Sequence, residues 1–144
     1  TTNRLEIGWR ERVAFPDLGI PTLRAKVDTG ARTSALHAVN IEEFVHDGER
    51  WVQFATPLSD HGRHTLCRAR IAETRAIKNT SGIPEDRLII STTVVLARRH
   101  WLIDVSLADR ENMSFALILG RTALRRHRLL VDPGRSYLAG EPIF

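Results

Sequence analysis

Hydrophobic and polar positions alternate in short runs along most of the chain, and turn residues interrupt the runs at close intervals. That pattern predicts the strands of a barrel or sandwich, not amphipathic helices. Arg10 to Phe15 reads as a first strand, ended by the turn Pro16-Asp17-Leu18-Gly19. In the next run Leu23, Ala25 and Val27 face inward while Arg24 and Lys26 face outward. A half-buried strand therefore leads directly into Asp28.

Glu42 to Val45 and Arg50 to Ala55 flank Asp47-Gly48, a strong hairpin signal. Thr65 to Glu73 forms a return strand. Arg75 to Lys78 and Arg87 to Leu96 are two further strands joined by Asn79-Thr80-Ser81-Gly82-Ile83-Pro84, which predicts a long hairpin with a mobile tip. Trp101 to Leu107, Phe115 to Leu119 and Leu129 to Asp132 complete the strands. One short helix is expected over Thr122 to Arg128, and a second helical turn is a possibility near Ser34 to Ala38. With no repeat, linker or shift of composition, residues 1–144 read as one all-β domain.

Composition narrows the classes. A hydrophobic share of 42% with 26% charged residues is that of an ordinary globular protein. A chain of this length buries roughly two thirds of its unfolded surface, enough for a core without staples. The single Cys67 excludes an intramolecular disulfide and a thiolate metal cluster. The longest apolar runs, such as Phe115 to Leu119, are too short to span a membrane, so no membrane partner is expected. Thr1 to Arg4 do not resemble a signal peptide, although the missing initiator Met leaves room for a removed leader. The expected compartment is the cytoplasm, with the periplasm as the alternative.

Of the 21 basic residues 19 are arginines, and these account for much of the pI near 10.2. They are interleaved with 17 acids and not gathered beside exposed aromatics, so no nucleic-acid partner is expected. Arg125, Arg126 and Arg128 form the densest cluster and read as a solvated helix face.

Two segments carry candidate chemistry. In Asp28-Thr29-Gly30-Ala31 an aspartate at a strand end precedes a small hydroxyl residue and a glycine, so a tight turn can present its carboxylate to a cleft. The same four residues suit an Asx-type turn that merely ends a strand. Leu117-Ile118-Leu119-Gly120-Arg121 brings an apolar strand to a glycine and a helix start, which alone is compatible with an ordinary core strand. Together and in this order they resemble the paired signature of retroviral proteases, in which the two segments pack side by side beneath the active site. The hairpin tip near Ser81-Gly82 occupies a position similar to the flap of those enzymes. The run Lys26 to Ala38, with Met113-Ser114-Phe115, Leu119 to Ala123 and Val131-Asp132-Pro133, resembles a bacterial retropepsin-like family labelled ATP-dependent zinc proteases and associated with glutamate-ligating ATP-grasp enzymes.

The resemblance implies a closed acid-protease barrel with a flap hairpin and one short C-terminal helix. It implies a catalytic turn of Asp28, Thr29 and Gly30. Substrate contacts would come from Ala31, Arg32, Leu36, Asn79, Thr80, Ser81, Gly82, Leu119 and Gly120, with Arg121 as structural support. Aspartic peptidases use two carboxyls sharing one proton. Only one Asp-Thr-Gly is present, so the chain is expected to be an aspartic peptidase only as a homodimer, hydrolysing a peptide or protein substrate. A pair titrating as a unit implies an acidic to mildly acidic optimum. An ATP-grasp ligase is an expected pathway partner.

Where viral enzymes carry an acidic residue after Asp-Thr-Gly-Ala, this chain has Arg32, which leaves the partner of Arg121 open. No cofactor is expected: there is no His-Glu-x-x-His string and no phosphate-binding Gly-rich loop. Only His61 and His64 are locally paired among the six histidines, and a metal site built on them is the lesser alternative. Cys67, at a strand position between arginines, reads as half buried and not as a nucleophile. Two rival functions remain: a retropepsin-shaped binding or assembly module, and a zinc hydrolase.

Overall fold

The computed structural model describes residues 4–58, 63–79, 81–109 and 114–143. They form β1 (Leu5–Gly8), β2 (Arg10–Phe15), β3 (Ile20–Asp28), β4 (Ser34–His37), β5 (Val39–His46), β6 (Glu49–Leu58), β7 (Arg63–Lys78), β8 (Pro84–Leu96), β9 (Arg99–Ala108), β10 (Leu117–Gly120) and β11 (Leu129–Asp132). Among them the one α-helix is α1 (Arg121–Arg126), and a 3₁₀ turn covers Pro16–Leu18. The fold is mostly β, as the short alternating runs predict. Thr80 and His61 lie outside the described residues, as does part of the expected turn at Asp109 to Asn112. Among the described residues no helix is long and apolar enough to cross a membrane.

Nine strands form one sheet in the order β2-β3-β10-β4-β9-β8-β7-β6-β5, and Ala14 of β2 also pairs with Val95 of β8. Strands β1 and β11 make a separate parallel ribbon. The core lies between the inward faces of these strands. Phe15, Ile20, Leu36, Phe54, Ile90, Leu96 and Leu117 are fully buried there.

Three expectations need correction. Ser34 to His37 is a strand, not a helical turn, because Ser34, Ala35 and Leu36 are all buried between β9 and β10. Pairing on both sides overrides the weak local preference. The two strands expected from Thr65 to Lys78 are one continuous β7, which absorbs the break as a register shift between Ile71 and Glu73. Strand β1 is additional. It is four residues long, and its one strand partner among the described residues is β11, far away in sequence. The Asp47-Gly48 hairpin matches its signal: both residues have positive φ, 52° and 75°, as a two-residue turn between twisted strands requires.

Candidate active site

The site is built where β3 ends. Leu23, Ala25 and Val27 bury the inner face of β3, and Asp28 is its last residue. Strand β10, Leu-Ile-Leu-Gly, is buried along its whole length, as expected of a strand enclosed by others. It pairs in parallel with β3, placing Gly120 opposite Asp28, and antiparallel with β4. Thus β10 is inserted between the two strands that flank the Asp28–Thr33 turn.

Hydrogen bonds within the turn orient the aspartate. The Gly30 N–H donates to Asp28 Oδ1 at 3.0 Å, and the Ala31 N–H donates to the Asp28 carbonyl at 3.2 Å. Carbonyls of the turn face the start of α1. The Arg121 N–H donates to Ala31 O at 2.8 Å, and the Thr122 hydroxyl donates to Arg32 O at 2.8 Å. The helix thereby satisfies N-terminal amides that have no partner of their own. The Arg121 guanidinium donates to Gly30 O at 3.1 Å, so a backbone carbonyl takes the place of the absent acidic partner.

Gly120 is required by space. A Cβ there would lie 2.8 Å from the Thr33 carbonyl carbon and 2.9 Å from Ala31 O. Its N–H donates to Ser34 Oγ at 3.0 Å, and Ser106 Oγ donates to Ser34 O at 3.2 Å. From the hairpin side, Arg75 of β7 donates to Thr33 Oγ1 at 3.2 Å while ion-paired to Glu73.

A cavity of about 420 Å³ opens above the turn. Asp28, Gly30, Ala31, Thr33 and Ala35 line one side, Ile77, Lys78, Asn79 and Arg87 of the β7–β8 hairpin another, and Ser106 and Ile118 the base. At the hairpin end Asn79 Oδ1 accepts the N–H groups of Ser81 and Ile83, and Gly82 turns with φ +77°. The Asn79 amide also donates to Glu85, which is the main reason the Glu85 carboxyl lies below its ordinary range, with Arg87 contributing. The Arg87 side chain, only 13% exposed, reaches Glu85 at 3.2 Å.

Of the residues singled out in the sequence, Asp28, Gly30, Ala31 and Asn79 meet at this cavity. Thr29 and Arg32 are exposed on the turn beside it, and Ser81 and Gly82 are exposed at the hairpin end without lining it. Leu36 and Leu119 are buried to 0% and 1% exposure in the core beneath, and Gly120 backs the turn. Ile77, Lys78, Arg87, Ser106 and Ile118 line the cavity but were not singled out. Cross-strand pairing brings Arg75 opposite Arg87, so those positions depend on register more than on motif.

Glu11 was also missed. Its fully buried carboxylate accepts the N–H groups of Gly8 at 2.6 Å, Leu138 at 2.9 Å and Ala139 at 3.0 Å, pinning the C-terminal segment to β2. Alternation in Arg10 to Phe15 places Glu11 on the same inward face as Val13 and Phe15, which was the available signal. Cys67 is buried, and burial pushes its thiol up to about 11, which removes it as a nucleophile. Among the described residues no three His, Cys, Asp or Glu side chains gather in a way that could hold a metal, and His64 is exposed on β7.

Similar proteins were found by sequence and by structure. A 42% identical protein of Desulfotalea psychrophila matches 94% of this chain and 29% of its own length, and carries the name "Probable alpha-L-glutamate ligase". A protein of the same name from Shewanella pealeana is 38% identical over 96% of the chain and 31% of its own length. The chain thus spans about three-tenths of these curated relatives. A solved structure from Legionella pneumophila, of a protein of unknown function, superposes with a TM-score of 0.80 at 27% identity, covering 94% of this chain and 98% of that one. The family model matching residues 6–142 is described as RimB-like, retropepsin-like aspartic endopeptidase RimB. On that match over nearly its whole length, the chain belongs to the RimB-like, retropepsin-like family.

Proposed function

We propose that this chain is one half of a homodimeric aspartic endopeptidase, with residues 1–144 forming a single retropepsin-like unit. The observation that carries the reading is Asp28 itself, oriented by the Gly30 N–H at the wall of a cavity and backed by β10 and α1. A twofold axis beside the turn brings in the second Asp28, because one carboxyl cannot act as both acid and base in the same step. The ionised member takes a proton from a water as its oxygen attacks the scissile carbonyl. The protonated member gives its proton to the carbonyl oxygen. In this reading Thr29, which is exposed on the turn, braces the partner's loop.

In this reading the Ala14–Val95 pairing closes the barrel, and the β7–β8 hairpin is the flap that excludes water over bound peptide. Ala31, Asn79 and the hairpin end, including Thr80, Ser81 and Gly82, contact substrate along with Arg32. Leu36, Leu119 and Gly120 act from beneath by holding the floor. The names of the relatives make glutamyl peptides the first substrates to try, with a glutamate ligase as pathway partner. Lys78 and Arg87 supply complementary charge at the cavity.

The share of ligase-named proteins that the chain spans favours one second reading, a non-catalytic module that binds peptide beside a ligase. Incubating wild type and Asp28→Asn with a peptide pool rich in glutamyl bonds, across pH, separates the two. The peptidase reading expects cleavage that falls about 10²–10⁴-fold in the variant. Equal cleavage by both proteins overturns the peptidase reading, and binding without cleavage by either establishes the module.

A further inference from the structure

A second concavity shares no residue with the Asp28 cavity. It has a volume of about 500 Å³ and is lined by Arg4, Arg125, Arg128, Leu129 and Leu130. Arg125 lies in the last turn of α1, Arg128 follows the helix with φ +53°, and Leu129 and Leu130 open β11. Arg4 stands just ahead of β1, and β1 pairs with β11 from Leu5 opposite Leu129 onward. Residues far apart in the chain thus converge on one groove. Its walls carry three guanidinium groups, and its floor includes Leu130, a large apolar side chain left 48% exposed.

Some arginines elsewhere, such as Arg32, Arg98, Arg126 and Arg135, form no side-chain ion pair or hydrogen bond among the described residues, but they do not line this groove; others are paired. Arg50, Arg70, Arg75 and Arg87 each have a carboxylate partner, from Glu43, Glu49, Glu73 and Glu85. Arg4, Arg125 and Arg128 are exposed and form no side-chain ion pair or hydrogen bond among the described residues. Glu6, opposite Leu130 on the neighbouring strand, is the nearest acid along the ribbon and forms no ion pair with them. Part of the charge has a local role, since Arg125 and Arg126 suit the C-terminal end of α1. That role does not extend to Arg4 or Arg128.

We propose that this groove is a docking site for an acidic peptide segment of a partner protein, one that carries at least one apolar side chain. Guanidinium groups take carboxylates in paired hydrogen bonds, and Leu129 and Leu130 provide an apolar floor for a single hydrophobic anchor. Nucleic acid is the poorer fit, because no exposed aromatic ring lines the groove for base stacking. Being separate from the Asp28 cavity, the groove would tether a protein beside the cleft without entering it.

The test uses the full chain carrying Asp28→Asn, so that a probe is not cut. A fluorescent peptide of glutamates with one central leucine is titrated by anisotropy at low and moderate salt. Binding is expected to weaken as salt rises and to weaken at least about tenfold in Arg125→Glu/Arg128→Glu. It should weaken less in Leu130→Ser, and Arg68→Glu, exposed on β7 and lining neither concavity, should leave it unchanged. Loss on Lys78→Glu but not on the groove reversals overturns the proposal and places acidic peptide in the cleft instead. Tighter binding of a single-stranded oligonucleotide than of the peptide also overturns it, as does a concentration-dependent dimer that the groove reversals abolish. If the reversal variant melts early, Arg125→Gln/Arg128→Gln provides the same reading with unchanged shape. None of these outcomes depends on whether Asp28 cleaves.

Discussion

Gly120→Ala probes how firmly the Asp28 turn is held from below. Gly120 has φ −83° and ψ 169°, an ordinary extended conformation, so alanine meets no torsional obstacle. The obstacle is space: the new methyl would lie 2.8, 2.9 and 3.0 Å from backbone atoms of Thr33, Ala31 and Arg32. Backbone gives less readily than a side chain, and here it is tied on both sides. Arg121 N and Thr122 N are bonded to the same Ala31 and Arg32 carbonyls, and Gly120 N to Ser34. Relief therefore requires moving β10 or the turn and lengthening those bonds. Overpacking of this kind costs about 2–3 kcal/mol. For a chain near this length that lowers the melting temperature by roughly 5–10 °C.

Gly30→Ala is the matched control, since its Cβ would meet only the Asp28 carboxylate, at 3.2 Å, and a side chain can shift by that amount. Differential scanning calorimetry of the two variants reads the difference. If Gly120→Ala melts with wild type, or no earlier than Gly30→Ala, the account of a turn clamped by β10 and α1 is wrong.

Three further expectations concern groups away from the cavity. Glu11→Gln should cost about 2–4 kcal/mol in denaturant titration, because an amide cannot accept from all three backbone N–H groups. Limited proteolysis should then release the segment after Tyr137, and resistance equal to wild type would refute the clamp. At pH 8 native Cys67, with its thiol near 11, should hold about one part in a thousand as thiolate and react with iodoacetamide only after denaturation. Rapid alkylation of folded protein would contradict its burial. His127 is stacked on Trp101 at 4.4 Å, and burial, then the charges of Arg99, Arg126 and His100, lowers its affinity for a proton. The unfolded chain binds the proton more readily, so stability is full above the ordinary histidine range and falls as pH drops through it. His127→Gln should flatten that fall, and an unchanged slope would exclude His127 as its source.

The parts of the molecule legible in its sequence are those set by local chemistry. Alternation in Leu23 to Asp28 and the Asp47-Gly48 turn both correspond to the observed elements. The apolar run ending at Gly120 is the strand that meets Asp28. What was not legible depends on partners distant in the chain. Ser34 to His37 becomes a strand where β9 and β10 flank it, and β1 takes its strand partner from β11. Arg87 reaches the cavity through its register with β7, which no motif encodes. Arg121 found a carbonyl in place of a carboxylate, an outcome that residue type could not foretell.

A site shared between two copies of Asp28 needs both carboxyls at once, and subunit mixing reads that requirement. Wild type and Asp28→Asn are combined in equal amounts, allowed to exchange fully, and assayed on a peptide that wild type cleaves. If each site needs both aspartates, only wild-type pairs are active and about one quarter of the activity of an equal amount of unmixed wild-type protein should remain. Retention of about one half, as for chains that act independently, would contradict the shared site.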